Sequence, residues 1–302
     1  MSQILFKDNK PTEAERNKII DNLISEYPFL KHKIIGESHC KRNIDCLILG
    51  NNDNNVLITA GYHGMEWLTT LLIFNFIEKI SKCIKTGQPI AGGINIAEYL
   101  ELRGITFVPC VNPDGIEISI NGYESAREYS KIVKNISKNN TDLWQSNARG
   151  VDINHNFDAD WDKLHNLEIK SNITGPSSTR YGGEYAESEL ETQAITSLCR
   201  KNYFRQAFAF HSQGEEIYWQ YGDDLTEKSE LIARVLSMIS GYKMSKPEGL
   251  AVGGGFKDWF IKEFKRPAFT IEIGKGKNPL PLEDIVPIYN KLENMLVLSC
   301  II

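Results

Sequence analysis

One short stretch carries residue types that can begin a cation site. In Leu57-Ile58-Thr59-Ala60-Gly61-Tyr62-His63-Gly64-Met65-Glu66-Trp67, an apolar run meets a glycine and then delivers His63 and Glu66 just before a helical pattern. A pair three positions apart at a strand end can aim an imidazole nitrogen and a carboxylate oxygen at one ion. Zinc takes such atoms at about 2.0–2.2 Å, and its catalytic sites use three protein ligands plus water. A third ligand is available in His211, directly after the apolar run Ala207-Phe208-Ala209-Phe210. The expectation is one zinc ion per chain, held by His63, Glu66 and His211. His32 and His39 fall in a polar N-terminal stretch and His165 in a polar loop, so these three read as surface residues. HExxH spacing is absent, which excludes the helix-borne type of zinc protease site.

A further carboxylate lies in Phe269-Thr270-Ile271-Glu272-Ile273-Gly274. A lone acid in an apolar strand is costly to bury unless it is paired or functional. A buried ion pair is the plain alternative. Beside a zinc site, Glu272 is the expected general base, taking a proton from water and later handing it to a leaving amine.

The elements that must position these residues alternate in type. Thr12-Glu13-Ala14-Glu15 reads as a capping box opening a helix to about Tyr27. Ile44 to Leu49 and Val56 to Ala60 read as two strands joined by a tight turn through Asn51-Asn52-Asp53-Asn54-Asn55. Helical spacing of apolar residues predicts helices from Trp67 to about Lys85, Glu187 to Arg200, Phe256 to Phe264 and Glu283 to Leu298. Continuous apolar runs predict buried strands at Ile105 to Val111, Ala207 to Phe210 and Phe269 to Ile273. Residues 116 to 180 are polar without clear periodicity and read as a long functional loop. The alternation argues for an α/β sandwich with a largely parallel sheet. No linker, repeat or low-complexity tract interrupts it, so residues 1–302 read as a single domain.

Composition narrows the class. The net charge of −5 gives no broad basic footprint, so a nucleic-acid partner is not expected. Apolar stretches such as Leu71-Leu72-Ile73-Phe74-Asn75-Phe76-Ile77 are too short to span a bilayer, so no membrane association is expected. The first residues lack a signal-peptide core, which reads as cytoplasmic. The six cysteines form no CxxC pair and read as buried reduced thiols.

Five segments together, HGMEW, VPCVNPDG, GVDINHNFD, AFHSQGEEIYW and TIEIG, resemble the zinc carboxypeptidase family in order and spacing. The resemblance implies a metallopeptidase with zinc ligands at His63, Glu66 and His211 and a catalytic glutamate at Glu272. It implies a mixed, mainly parallel sheet of about eight strands between helices, in line with the alternation of elements. Within the family, HSQGEEIYW, GGGFKDWFIKEFKRPAFTIEIG and KNPLP are most similar to bacterial γ-D-glutamyl-meso-diaminopimelate peptidases. That resemblance implies a peptide substrate, a muropeptide fragment of the peptidoglycan stem. The alternatives are a metallocarboxypeptidase or zinc amidohydrolase acting on another acidic or N-acyl substrate, and a catalytically silent zinc-binding protein.

The chain departs from the family where substrate is gripped. The usual Asn-Arg pair that clamps a C-terminal carboxylate is Asn154-His155 here. A neutral imidazole cannot replace a bidentate guanidinium fork, so a different end group is expected. Met65 stands where an arginine is usual, Leu250 where a capping tyrosine is usual, and Gln145 where an electrophilic Arg or Lys is usual. Arg149 is the nearby candidate to polarise the scissile carbonyl in its place. Lys257 occupies the position that tunes the leaving-group pocket and favours an anionic group. Gly253-Gly254-Gly255 suggests a mobile loop over the site. Asn112-Pro113-Asp114-Gly115 reads as a scaffold turn, and Glu215 or Glu216 as a partner for a substrate ammonium.

Overall fold

The computed structural model describes residues 6–51, 54–222 and 227–302. Among them eight strands form one sheet: β1 Lys31–Glu37, β2 Asn43–Gly50, β3 Asn55–Ala60, β4 Gly104–Val108, β5 Phe204–Ser212, β6 Glu216–Tyr218, β7 Lys243–Ser245 and β8 Ala268–Ile273. Their order is β1-β2-β4-β3-β5-β8-β6-β7. The centre, β4-β3-β5-β8, is parallel, while β1-β2, β2-β4 and β6-β8 are antiparallel. Among the described residues ten α-helices surround it: α1 Glu13–Glu26, α2 Leu68–Thr86, α3 Ile96–Leu102, α4 Pro113–Asn121, α5 Ser130–Ser137, α6 Trp161–Lys170, α7 Leu190–Lys201, α8 Glu227–Ser240, α9 Phe256–Phe264 and α10 Ile285–Ile301.

Every residue of β3 and β5 is buried, as expected for parallel strands covered on both faces. Side-chain alternation then splits the core in two. Val56, Ile58, Phe208, Phe210, Phe269 and Ile271 face a large cluster with α1, α2, α8 and α10. Leu57, Ala207, Ala209 and Ala268 face the other side, under α7, α9, Tyr62 and Phe157. The small residues on that second face leave room for Phe256 and Trp259, whose rings meet Phe157 at 5.6 and 5.7 Å. Thr12 caps α1 by accepting the Glu15 N–H, as its sequence predicts. All six cysteines are free and buried. Among the described residues no helix is long and apolar enough to cross a membrane.

Several expectations change. β2 and β3 are not a hairpin: β4 inserts between them, antiparallel to β2 and parallel to β3. Asn52 and Asp53 of the expected turn lie outside the described residues. The stretch from 116 to 180 is not one long loop, because it holds most of α4 and all of α5 and α6. Gly253-Gly254-Gly255 serves close packing. A Cβ on Gly254 would meet the His155 carbonyl oxygen at 2.6 Å, and the Gly253 N–H donates to Asp258 at 2.8 Å.

Candidate metal centre

Parallel strands end on one edge of a sheet, and ligand sites form outside those carboxyl ends. Here β3, β5 and β8 deliver His63, His211 and Glu272 to that edge. His211 and Glu272 are register partners on adjacent strands. Gly61 turns the chain out of β3 with φ of +68°, and a Cβ there would lie 2.7 Å from the Thr70 hydroxyl oxygen. The ligand turn is pinned from outside: the Gly64 N–H donates to the Gln145 carbonyl at 3.0 Å and the Met65 N–H to the Trp144 carbonyl at 2.8 Å. The Asn112 side chain donates to the Tyr62 carbonyl at 2.9 Å, so the Asn112-Pro113-Asp114-Gly115 turn is scaffold for this loop.

The donor atoms converge. The two oxygens of buried Glu66 lie 2.8 Å from His63 Nδ1 and 3.0 Å from His211 Nδ1, and the three groups lie within 4.8 Å of one another. Burial would raise the Glu66 carboxyl, but His63 and His211 outweigh it and bring it down to about 2. It is therefore a carboxylate, ready to ligate. The far nitrogen of His63, Nε2, meets Asp152 Oδ1 at 3.1 Å. An N–H given to Asp152 would leave Nδ1 the lone pair that a metal takes, the arrangement by which a carboxylate orients a ligating histidine. His211 Nε2 is buried without a partner among the described residues. The set of two imidazole nitrogens and one carboxylate fits zinc.

These groups open into a cavity of about 490 Å³. His63, His211, Glu272, Gln145, Asn154, His155 and Lys257 all line it. Burial and the Glu66 charge push the Glu272 carboxyl well up, with Glu216 adding to the rise against the pull of His63. Gln145 accepts the Thr179 hydroxyl on its side-chain oxygen. Asn154 accepts the Phe256 N–H at 3.1 Å. His155 Nδ1 is paired with Glu168 at 2.8 Å. Lys257 Nζ donates to the Gln220 carbonyl at 2.8 Å and to Asp258.

Arg149 is a correction. It does not line the cavity, because Glu189 at 3.3 Å and Glu184 at 3.6 Å hold its guanidinium elsewhere. Glu215 is likewise spent on Lys275 and Lys291. His39 is half-buried against Glu189, and His165 stacks on Trp161 at 4.6 Å, so neither is a plain surface residue. Leu250 is half-buried and outside the lining, where its neighbour Ala251 stands instead. Sequence reasoning passed over Asp152. Its signal was an acid in Gly150-Val151-Asp152, at the head of a segment already marked by Asn154 and His155.

A family model described as zinc carboxypeptidase matches residues 17–295. The chain is 33% identical over 274 residues to γ-D-glutamyl-L-diamino acid endopeptidase 1 of Lysinibacillus sphaericus, covering 90% of this chain and 67% of that one. It is 26% identical over 289 residues to carboxypeptidase A1 of Bos taurus, covering 89% and 64%. In fold it is similar to bovine thrombin-activatable fibrinolysis inhibitor, with a TM-score of 0.77 at 21% identity over 98% of this chain and 97% of that one.

Proposed function

This chain belongs to the zinc carboxypeptidase family and is a zinc metallopeptidase, and we propose that it cleaves the γ-D-glutamyl bond to a diamino acid, meso-diaminopimelate, in peptidoglycan stem peptides. The observation that carries this reading is at the cavity floor. Where a guanidinium fork would clamp a plain C-terminal carboxylate, His155 is committed to Glu168. An imidazole held by an acid offers no bidentate grip. The floor cation is Lys257, which has three donors and spends two of them on Gln220 and Asp258. One remains for a carboxylate on the leaving residue, and meso-diaminopimelate carries a second such group. The Lysinibacillus sphaericus relative supports the same substrate class by its name.

In this reading His63, Glu66 and His211 hold the ion, with Asp152 steadying His63. The chemistry a bound zinc supplies is Lewis acidity, which acidifies water and polarises the carbonyl. Glu272 takes the proton from the attacking water and passes it to the leaving amine. Gln145, whose side-chain oxygen is engaged by Thr179, donates an amide N–H to the carbonyl oxygen as charge develops there. Asn154 and Lys257 position the leaving residue.

The test is kcat/KM of the zinc-loaded chain on matched peptides with γ-D-Glu-meso-diaminopimelate, γ-D-Glu-L-Lys and an ordinary hydrophobic C-terminal residue. The first should lead the second by about tenfold or more, the scale of a charge-assisted hydrogen bond. Fastest cleavage of the hydrophobic C-terminal peptide would leave a plain carboxypeptidase.

A further inference from the structure

Most basic groups around the cavity are already matched. Lys257 faces Asp258, His155 faces Glu168, and His63 lies between Glu66 and Asp152. Elsewhere Arg42, Arg149 and Arg200 each face a carboxylate. Arg180 differs. It lines the cavity and is exposed, and among the described residues its guanidinium has neither an ion pair nor a hydrogen bond. Its backbone is nevertheless fixed. The Arg180 N–H donates to Asp152 Oδ2 at 2.9 Å, on the same carboxylate whose Oδ1 holds His63 Nε2. The neighbouring Tyr181 carbonyl accepts the Asp152 N–H at 2.8 Å. Arg180 takes φ of +65°, a conformation that persists in a non-glycine residue only where surroundings impose it. A strained stem tied to a ligand's support therefore presents an unmatched guanidinium to the cavity.

The position of Arg180 sets which part of a substrate it meets. The floor residues His155, Lys257, Asp258 and Thr270 are buried. Arg180 and Leu143, which is 63% exposed, stand at the mouth. A closed floor takes the leaving residue, and the acyl portion must pass out through the mouth. An α-linked acyl residue presents a carbonyl engaged in the scissile amide and an amide on its other side. A γ-linked D-glutamyl residue presents something else: its α-carboxylate stays free, with three carbons between it and the scissile carbonyl carbon.

We propose that Arg180 binds that α-carboxylate and so selects γ-linked over α-linked acyl residues. The proposal rests on the substrate class inferred above and deepens it by assigning the residue that reads the linkage. Guanidinium and carboxylate suit each other in charge and in bidentate geometry.

The test uses the zinc-loaded full chain and the product-side ligand L-Ala-D-Glu, against its α-amide, L-Ala-D-isoglutamine. By calorimetry the wild type should bind the acid about 10- to 100-fold more tightly than the amide, the scale of a charge-assisted hydrogen bond. Arg180→Gln should bind both alike, at the wild-type affinity for the amide, with zinc content unchanged. Arg180→Lys should recover part of the difference. In turnover of the matching γ-D-Glu-meso-diaminopimelate peptides, Arg180→Gln should lose the same factor on the acid, through KM, and nothing on the α-amide. No discrimination in the wild type, the same discrimination in Arg180→Gln, or equal losses on acid and amide would overturn the assignment. Arg180-dependent binding without turnover of any γ-D-glutamyl peptide would sink the substrate reading and leave Arg180 as an anion anchor. Turnover with no preference for the α-carboxylate would do the reverse.

Discussion

His63, Glu66 and His211 gather at the strand ends, and His39, Glu189 and Glu191 gather where the β1–β2 connection meets the start of α7. In each set the potential donor atoms lie within 4.8 Å of one another. Residue type and closeness do not separate them, but their surroundings do. Around Glu66 the neighbours are imidazoles, with the cavity beyond. Around Glu189 the cation is already supplied: Arg149 lies 3.3 Å from Oε1, and the Asn147 amide donates to Oε2 at 2.8 Å. The Ser188 hydroxyl donates to Glu189 Oε1 at 2.8 Å, and His39 Nε2 meets Oε2 at 3.0 Å. Burial would lower the His39 imidazole, yet its bond to Glu189 and the charge of Glu191 hold it up. Its Nε2 is spent on an acid that Arg149, Asn147 and Ser188 already serve. One cluster is left short of positive charge and faces the cavity. The other has its cation and its Glu189 hydrogen bonds supplied by side chains, and it braces the fold.

The comparison breaks most decisively at the ligands. His63→Ala with His211→Ala should take zinc from about one per chain to none, with loss of activity, because three protein ligands define the site. His39→Ala should leave zinc content unchanged. Metal analysis of both proteins decides it, and unchanged zinc in the double variant would sink the assignment. Next in size, Glu272→Gln should keep zinc and lower kcat by about 10²- to 10⁴-fold, the range for a lost general base. Near wild-type turnover would make Glu272 structural only. Asp152→Ala should follow, lowering zinc affinity or activity by about 10- to 100-fold through loss of the group that orients His63. Competition with a zinc chelator measures it.

The first cluster was legible in the sequence because each of its histidines follows the end of an apolar run, with Glu66 three positions past the first. Gly61 before His63 and Phe210 before His211 mark strand ends locally, and parallel strands bring such ends together. The second was not, because His39 is set in a polar stretch and Glu189 lies 150 residues away. Arg149 was misplaced for the same reason: its neighbours in sequence suggest the site, while Glu189 decides its direction. The β2–β3 turn reads as a hairpin locally, and nothing nearby announces that β4 will insert. β6 and β7, at three residues each, are too short to show an alternating pattern. The edge strand β1 has the mixed exposure pattern of a polar, partly solvated segment and escaped notice. Helices α5 and α6 are short and carry polar faces, so their stretch reads as a loop.

On the bracing side, Glu189→Ala should cost about 3–5 kcal/mol, the scale for removing one partner of a buried pair. It leaves Arg149, Asn147 and His39 without their shared acceptor. Denaturant unfolding checks it. A loss of zinc at full stability would instead give this cluster the role of the first.

The smallest effect, and the sharpest on the contrast, concerns Glu191. Its side chain is fully buried, with Oε2 accepting from Asn147 at 3.3 Å and Oε1 without a partner among the described residues. Burial, then the charges of Asp114 and Glu189, push its carboxyl up to about 8 against the pull of His39. The folded protein therefore holds a proton on Glu191 that the unfolded chain releases near the ordinary value of 4.5. A carboxyl raised in this way contributes stability in full below about 4.5, and the contribution is lost as pH rises through about 8. His39, also raised, acts in the same direction, so the comparison must be made against a variant that keeps His39. Glu191→Gln removes the titration at nearly constant volume. Its Tm should match the wild type at pH 5 and exceed it by a few degrees at pH 8, since one proton contributes at most about 1.4 kcal/mol per pH unit. Calorimetric scans of both proteins at fixed ionic strength give the two curves. If they run parallel, Glu191 is ionised in the folded protein. The brace then sets two carboxylates against Arg149 and His39, and its charge is matched where that of the metal centre is short.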